Sequence, residues 1–178
     1  AAVAAFAHFD STIILSRQLA AEGIYPAVDP LASSSKLLSK KYTSKKHIRI
    51  AKATIQYLEK LKSLEDIINI LGFDALTSID KKNVRIGRRI KKFMTQPFII
   101  AEKYSGIEGK FVTLDESLSS MERILTGELN HIPDSMFLYV GTVEEVIHKY
   151  EDNLEQSKIA LEQSKKSVNK ISIDSPIN

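Results

Sequence analysis

Gly23-Ile24-Tyr25-Pro26-Ala27-Val28-Asp29-Pro30-Leu31 is the stretch around which this chain is arranged. Pro26 and Pro30 fix their own φ and push the residues before them, Tyr25 and Asp29, out of the α region, so the segment must run extended. A stiff segment loses little entropy when something settles on it, which suits Tyr25 to be a stacking platform. The same stiffness would serve a plain structural crossover. The stretch alone does not choose between the two.

At 178 residues with 43% apolar side chains, the chain has room for one ordinary domain with a sizeable core, or two small units. Its net charge of +3 is mild and does not by itself call for a polyanionic partner. With no cysteine, disulfides and thiolate sites are excluded. No apolar run approaches the ~20 residues of a membrane-spanning helix. The opening residues 1–7 are apolar but lack the cationic lead of a signal peptide and are followed at once by His8 and Asp10, so they read as the tail of a buried strand. None of the seven glycines falls in a G-x-x-x-x-G-K-[ST] loop or a dinucleotide-type cluster, so these residues are not expected to cradle a triphosphate unaided. His8, His47, His131 and His148 show no metal-ligand spacing and read as structural.

Working outward, Asp10 and Ser11 are candidate N-caps for a short helix over 12–21 that Gly23 ends, and Ser33-Ser34-Ser35 is a polar joint. Apolar residues recur at three and four from His47 to Leu71, with a break expected near Ser63, and Gly72 stops the run. Ser78 or Asp80 caps a second helix reaching Met94, before Pro97 forbids continuation. A further helix is expected over 115–125, closed by Gly127, and Thr142 with Glu145 forms a capping box for the last one. The expected architecture is mainly α, an antiparallel helical unit with short connections. Beyond Tyr150 the composition turns to Glu, Gln, Ser and Lys. There Leu154-Glu155-Gln156-Ser157-Lys158 recurs as Leu161-Glu162-Gln163-Ser164-Lys165, with Val168 next on the Leu line. Two copies with Ser157 and Ser164 in the second seam position are too few for a coiled coil, leaving a solvated helical extension or a partner-binding helix, frayed over 171–178.

The central stretch resembles the corresponding run of the catalytic beta subunit of F-type ATP synthases, and other motifs fall in the same order. Phe6-Ala7-His8-Phe9-Asp10-Ser11 with Leu15-Ser16-Arg17 is similar to the family's FAHLDATTVLSR. Downstream come Ser63-Leu64 with Ile70-Leu71-Gly72, Gln96-Pro97-Phe98 with Ala101-Glu102, Gly109-Lys110 and Gly127-Glu128-Leu129. The resemblance covers roughly residues 6–150. It implies a remnant of a RecA-like α/β nucleotide-binding domain over 1–43 and a C-terminal helical bundle with a rotor-facing turn over 44–150; the polar helical tail over 151–178 lies beyond the resemblance and is read from composition alone. The chain would then be the C-terminal part of that subunit, as a split or cleaved polypeptide.

By the same resemblance, Tyr25 matches the tyrosine that stacks on adenine, Phe98 and Tyr104 match two aromatics completing the pocket, and Pro26 and Ala101 line it. Base stacking on an aromatic contributes about 1–3 kcal/mol and tolerates any base. Where Tyr104 stands the family usually has Phe. Such a pocket gives affinity without chemistry, so no catalytic or metal-binding residue is expected here. ATP or ADP with Mg would be held mainly by residues outside this chain, which would be part of an enzyme only within its assembly. Taken without the resemblance, the three aromatics read as core.

Asp74-Ala75-Leu76-Thr77-Ser78-Ile79-Asp80 stands where the family has an acidic Asp-Glu-Leu-Ser-Glu-Glu-Asp turn pressing on the rotor, with only Asp74, Leu76 and Asp80 kept. The implied partners are the rest of the beta subunit, alpha subunits and the central-stalk gamma subunit near those three residues. Read from residues alone, the segment is an ordinary interhelix turn. The run Lys81, Lys82, Arg85, Arg88, Arg89, Lys91 and Lys92 raises an alternative, an independent basic helical module for nucleic acid or a protein partner. The family's helix is also basic there, which favours a solvated face or an acidic neighbour, and no nucleic acid is expected. Leu19-Ala20-Ala21 and Phe111 look more like plastid versions, implying the thylakoid surface, peripheral through the complex, with the mitochondrial inner membrane as the alternative.

Overall fold

The computed structural model describes residues 9–173, with the backbone alone for 164–173. The strand tail expected over the first residues, the Phe6-Ala7-His8 part of the upstream motif, the Val168 side chain of the repeat and the end after Ile173 lie outside the described residues. The fold is mainly α. Its frame is a hairpin of two helices, α2 (Lys45–Leu71) and α3 (Ser78–Phe93). Ser44 begins α2 by accepting the His47 amide at 3.2 Å, and Gly72 ends it at φ 82°. No break occurs at Ser63, whose hydroxyl donates to the Lys60 carbonyl at 2.9 Å, a bond a helix tolerates. Thr77, rather than Ser78 or Asp80, caps α3 by accepting the Asp80 amide at 3.1 Å. The hairpin closes tightly at Gly87, where an added Cβ would lie 3.0 Å from the Leu61 Cβ and 3.1 Å from the Tyr57 carbonyl oxygen.

Against this hairpin pack α5 (Leu114–Thr126), the 3-10 turn Asp134–Phe137 and the start of α6 (Val143–Ile173). Leu58, Ile86, Ile90 and Phe93 meet Ile124, Ile132, Phe137, Val143 and Val146 in one cluster. Burying each such side chain contributes about 1.5–3 kcal/mol. A second cluster, Leu61, Leu64, Leu76 and Val84, fills the closed end of the hairpin. Thr113 and Glu116 form a full capping box on α5, which Gly127 ends at φ 82° as expected. The box predicted from Thr142 and Glu145 takes another form. Glu145 reaches back to the Gly141 amide at 3.2 Å and pairs with Lys110, while the Val143 amide donates to Ser120 Oγ at 3.2 Å.

The N-terminal part wraps this body as a strap. The helix expected over 12–21 shrinks to α1 (Arg17–Ala21), capped by Ser16, because the residues before it find partners across the chain instead. Two short strands, β1 (Ser11–Thr12) and β2 (Ser34–Ser35), pair antiparallel, and Leu15 bridges Val28. Between them Ser16 N–H donates to the Ala27 carbonyl and Asp29 N–H to the Ile14 carbonyl, both at 2.8 Å. The Gly23–Leu31 stretch is therefore the return limb of the strap, with Leu31 packed on the main cluster.

The last helix spans 31 residues, about 46 Å at 1.5 Å per residue. Residues 151–163 are exposed throughout. Among the described residues no helix is long and apolar enough to cross a membrane.

Candidate functional site

Where α3 ends, its chain turns to hold the strap. Thr95, fully buried, donates from Oγ1 to the Lys92 carbonyl at 2.5 Å and accepts the Tyr139 amide at 2.8 Å. The next residue, Gln96, donates its amide to the Tyr25 carbonyl at 2.9 Å and its Nε2 to the Lys110 carbonyl at 2.6 Å. One short segment thus joins the strap, the end of α3 and the 110 region.

From Pro97 the chain runs through a 3-10 turn, Ile99–Ala101, and α4 (Glu102–Ser105), and reverses at Gly106 with φ 67°. Gly109 presses on Ile99 so closely that a Cβ there would lie 2.3 Å from the Ile99 Cα and 2.5 Å from its nitrogen. A backbone contact of that kind leaves no room for a side chain, and it closes residues 97–110 into a fixed lobe. The Lys110 amide seals it by donating to the Pro97 carbonyl at 3.1 Å.

Between the strap and the lobe lies a groove of about 510 Å³. Four of the residues singled out in the sequence, Tyr25, Phe98, Ala101 and Tyr104, line it together. Pro26 does not line it; it is half-buried, behind Tyr25 across a cis peptide bond. Tyr25 and Phe98 are each 46% exposed and Tyr104 is 93% exposed, so the three rings are not the core residues a reading without the resemblance makes them. Gln96, Pro97, Ser105, Ile107 and Tyr139 complete the lining, and none of the nine residues carries a charge. A neutral, half-open, aromatic groove suits a flat base or ring far better than a phosphate chain.

Tyr139 was not among the sequence candidates. It adopts φ 54°, a left-handed conformation that is an outlier for a bulky side chain. With its amide held by Thr95, its hydroxyl donates to the Gly23 carbonyl, while its ring faces the groove. Strained backbone of this kind persists only where its surroundings over-determine it, and it concentrates at functional sites. No propensity rule marks such a residue beforehand.

The turn at the closed end of the hairpin departs from expectation in one respect. Leu76, proposed as a contact to a partner, is 8% exposed and packs inward against Leu61, Leu64 and Val84, so it cannot face a partner in this structure. Asp74 is fully exposed beside Lys81 at 3.3 Å. Asp80 accepts from the Thr77 hydroxyl at 2.8 Å and pairs with Lys60 at 3.4 Å, and the Thr77 bond foremost holds its pKa down. The apolar surface at this end comes from Ile70, Leu71 and Ile79 instead.

Four of the seven residues of the basic run, Lys81, Arg89, Lys91 and Lys92, are engaged within the molecule. Arg89, 6% exposed, donates to the Ile132 carbonyl through Nε and Nη2 and to Asn130 through Nη1 and Nη2, at 2.8–3.2 Å. Burial lowers its pKa from the usual arginine value. Lys91 pairs with Glu22 at 2.6 Å and Lys92 with Asp134 at 3.0 Å. Among the described residues no group of three or more His, Asp or Glu is placed to hold a metal ion. His131 instead makes an edge-to-face contact with Tyr150 at 5.8 Å.

The family model of the C-terminal domain of V and A type ATP synthase matches residues 37–137. That span includes the helical hairpin and the Phe98–Tyr104 side of the groove; Tyr25 and Tyr139 lie outside it. Among solved structures, the chain is similar to one described as a unique ATP synthase subunit NeqB from Nanoarcheaum equitans, with 29% identity and a TM-score of 0.54. The match covers 66% of this chain and 27% of that one, so this chain spans about a quarter of its length.

Proposed function

Since the chain belongs to the family of the C-terminal domain of V and A type ATP synthase, we propose that it is the C-terminal part of an F-type catalytic beta subunit and completes the adenine side of a nucleotide site. Relation to ATP synthase subunits is the common ground of both comparisons. The F-type assignment rests on the sequence motifs over roughly residues 6–150 and goes further than that ground. One observation carries the adenine role: Tyr25 and Phe98, 73 positions apart in sequence, face one uncharged groove with Ala101 and Tyr104.

In this reading the phosphates and Mg are bound by residues outside this sequence, on the nucleotide-binding part of the subunit. The groove supplies affinity through ring stacking. Stacking acts alike in ground and transition states, so it contributes binding without accelerating the chemical step. The helical hairpin would be the lever between groove and rotor, because α3 starts at the closed end after Thr77 and ends three residues before Gln96, which holds the Tyr25 carbonyl. Contact with a central-stalk gamma subunit would use Asp74, Asp80 and the exposed Ile70, Leu71 and Ile79. Alpha subunits and the remainder of the beta subunit are the other proposed partners, at the thylakoid surface or, failing that, the mitochondrial inner membrane.

The rival reading, a free-standing basic module, is weakened by the engagement of Arg89, Lys91 and Lys92 within the fold. Affinity purification of the tagged chain, followed by mass spectrometry of the intact assembly, tests the proposal. Recovery with alpha, gamma and nucleotide-binding polypeptides is expected. Recovery with nucleic acid and no ATPase subunit would overturn it.

A further inference from the structure

Along α3, Arg85 and Arg88 are neighbours one turn apart, and both lie over the Phe73 ring. Their guanidinium carbons stand 5.5 and 5.6 Å from its centroid. Lys81 Nζ approaches the same ring at 5.7 Å. The aromatic orients the two planar groups without using their hydrogen-bond donors. Among the described residues neither guanidinium has a carboxylate or carbonyl acceptor, in contrast with Arg89 directly behind them. The three arginines and Phe73, with Pro133 and Asp134, enclose a notch of about 250 Å³. Asp134 is the one acid lining it, and its carboxylate is already paired with Lys92 at 3.0 Å. The notch is therefore a small cavity with unmatched positive charge and free fork-shaped donors.

We propose that this notch binds a small tetrahedral oxyanion of the phosphate class, gripped by Arg85 and Arg88 on the Phe73 platform. Guanidinium forks match the geometry of such an anion and form charge-assisted bonds about twice as strong as neutral ones. The site is separate from the uncharged groove, so it is independent of the nucleotide reading above. A phosphate bound there would sit between Phe73, at the closed end of the hairpin, and the Pro133–Asp134 turn, tying the two together.

Calorimetric titration of the full chain with inorganic phosphate, at low ionic strength in chloride buffer, tests this. Saturable binding of one phosphate is expected. Arg85→Ala and Arg88→Ala should each weaken it by about tenfold, the loss of one charge-assisted bond. Phe73→Leu should weaken it while changing no charge, and Arg88→Lys should recover only part of the affinity. Lys82→Ala removes the same charge from the same helix outside the notch and should leave affinity nearly unchanged. Circular dichroism on each variant confirms that it is folded before it is counted. The proposal is overturned by absence of saturable binding, or by a Lys82→Ala loss as large as that of the arginine variants, which would mean a diffuse cationic field and no site.

Discussion

The hydroxyl of Tyr139 donates to the carbonyl of Gly23, two residues before Tyr25, across 116 positions of sequence. Together with the Gln96 amide on the Tyr25 carbonyl, it fastens both ends of the Gly23–Tyr25 backbone to the helical body. The backbone that carries the Tyr25 ring is thus fixed by the fold itself, and in the proposed adenine role Tyr139 would be a positioning residue for it.

Tyr139→Phe should cost about 0.5–1.5 kcal/mol of unfolding free energy, the net value of one hydrogen bond. The sharper readout is local. Hydrogen exchange at the amides of Gly23 and Ile24, which bond to Ala20 and Leu19, should accelerate while exchange in α5 stays the same. Equal acceleration in both regions would mean that the hydroxyl stabilises the whole fold and positions nothing.

Arg89 should behave as a core residue despite its charge. Arg89→Met leaves the buried carbonyl of Ile132 without its donor, at about 1–3 kcal/mol, whereas the carbonyl of the exposed Asn130 can turn to water. A loss of about 1–3 kcal/mol is expected, against a change within about 0.5 kcal/mol for the exposed Lys82→Ala. Urea unfolding of the two variants decides it, and similar midpoints would contradict the assignment.

These two residues mark where the sequence was legible and where it was not. Capping and stop signals are local, so Gly72, Gly127 and the Thr113–Glu116 box stand where residue type places them. The period of three and four laid out α2 and α3 for the same reason, since one face must be buried whatever lies opposite. By contrast, residues 11–15 satisfy a helical cap pattern yet pair with 28–35, because a strap partner far along the chain outbids a weak local preference. Leu76 looked like the centre of a surface turn, but the short 3-10 turn before it rotates its side chain into the second cluster. Burial of Arg89 and the left-handed backbone of Tyr139 are consequences of tertiary contacts and leave no mark in local composition. Among the groove residues, Tyr25, Phe98, Ala101 and Tyr104 came from resemblance, whereas Gln96, Ser105 and Tyr139 emerged only with the fold.

Acid should loosen the molecule gradually. Four carboxylates, Glu116 and Glu128 exposed and Glu122 and Asp80 half-buried, titrate below their ordinary range: Glu116 through the Thr113 hydroxyl and amide, Glu122 through Arg49 and Lys46, Glu128 through Arg123, and Asp80 through Thr77. A folded pKa below the unfolded one gives stability that is fully present above the unfolded value, about 4.3 for Glu and 3.9 for Asp, and lost as pH falls through the folded value. Unfolding midpoints should therefore be flat near neutrality and decline from about pH 5 downward. The decline should be shallower in high salt, because surface pairs are screened. A midpoint that rises between about pH 5 and pH 3 would contradict these ion pairs.

The central claim, that Tyr25 is a base-stacking platform, is met most directly by titrating intact assemblies with a fluorescent adenine nucleotide. Tyr25→Ala should weaken affinity by about 1–3 kcal/mol, up to roughly a hundredfold, and Tyr25→Phe should be nearly silent because the ring alone stacks. Turnover at saturating nucleotide should fall less than affinity does. Unchanged affinity in assembled Tyr25→Ala complexes would contradict the account and return Tyr25, with Phe98 and Tyr104, to the role of a structural crossover.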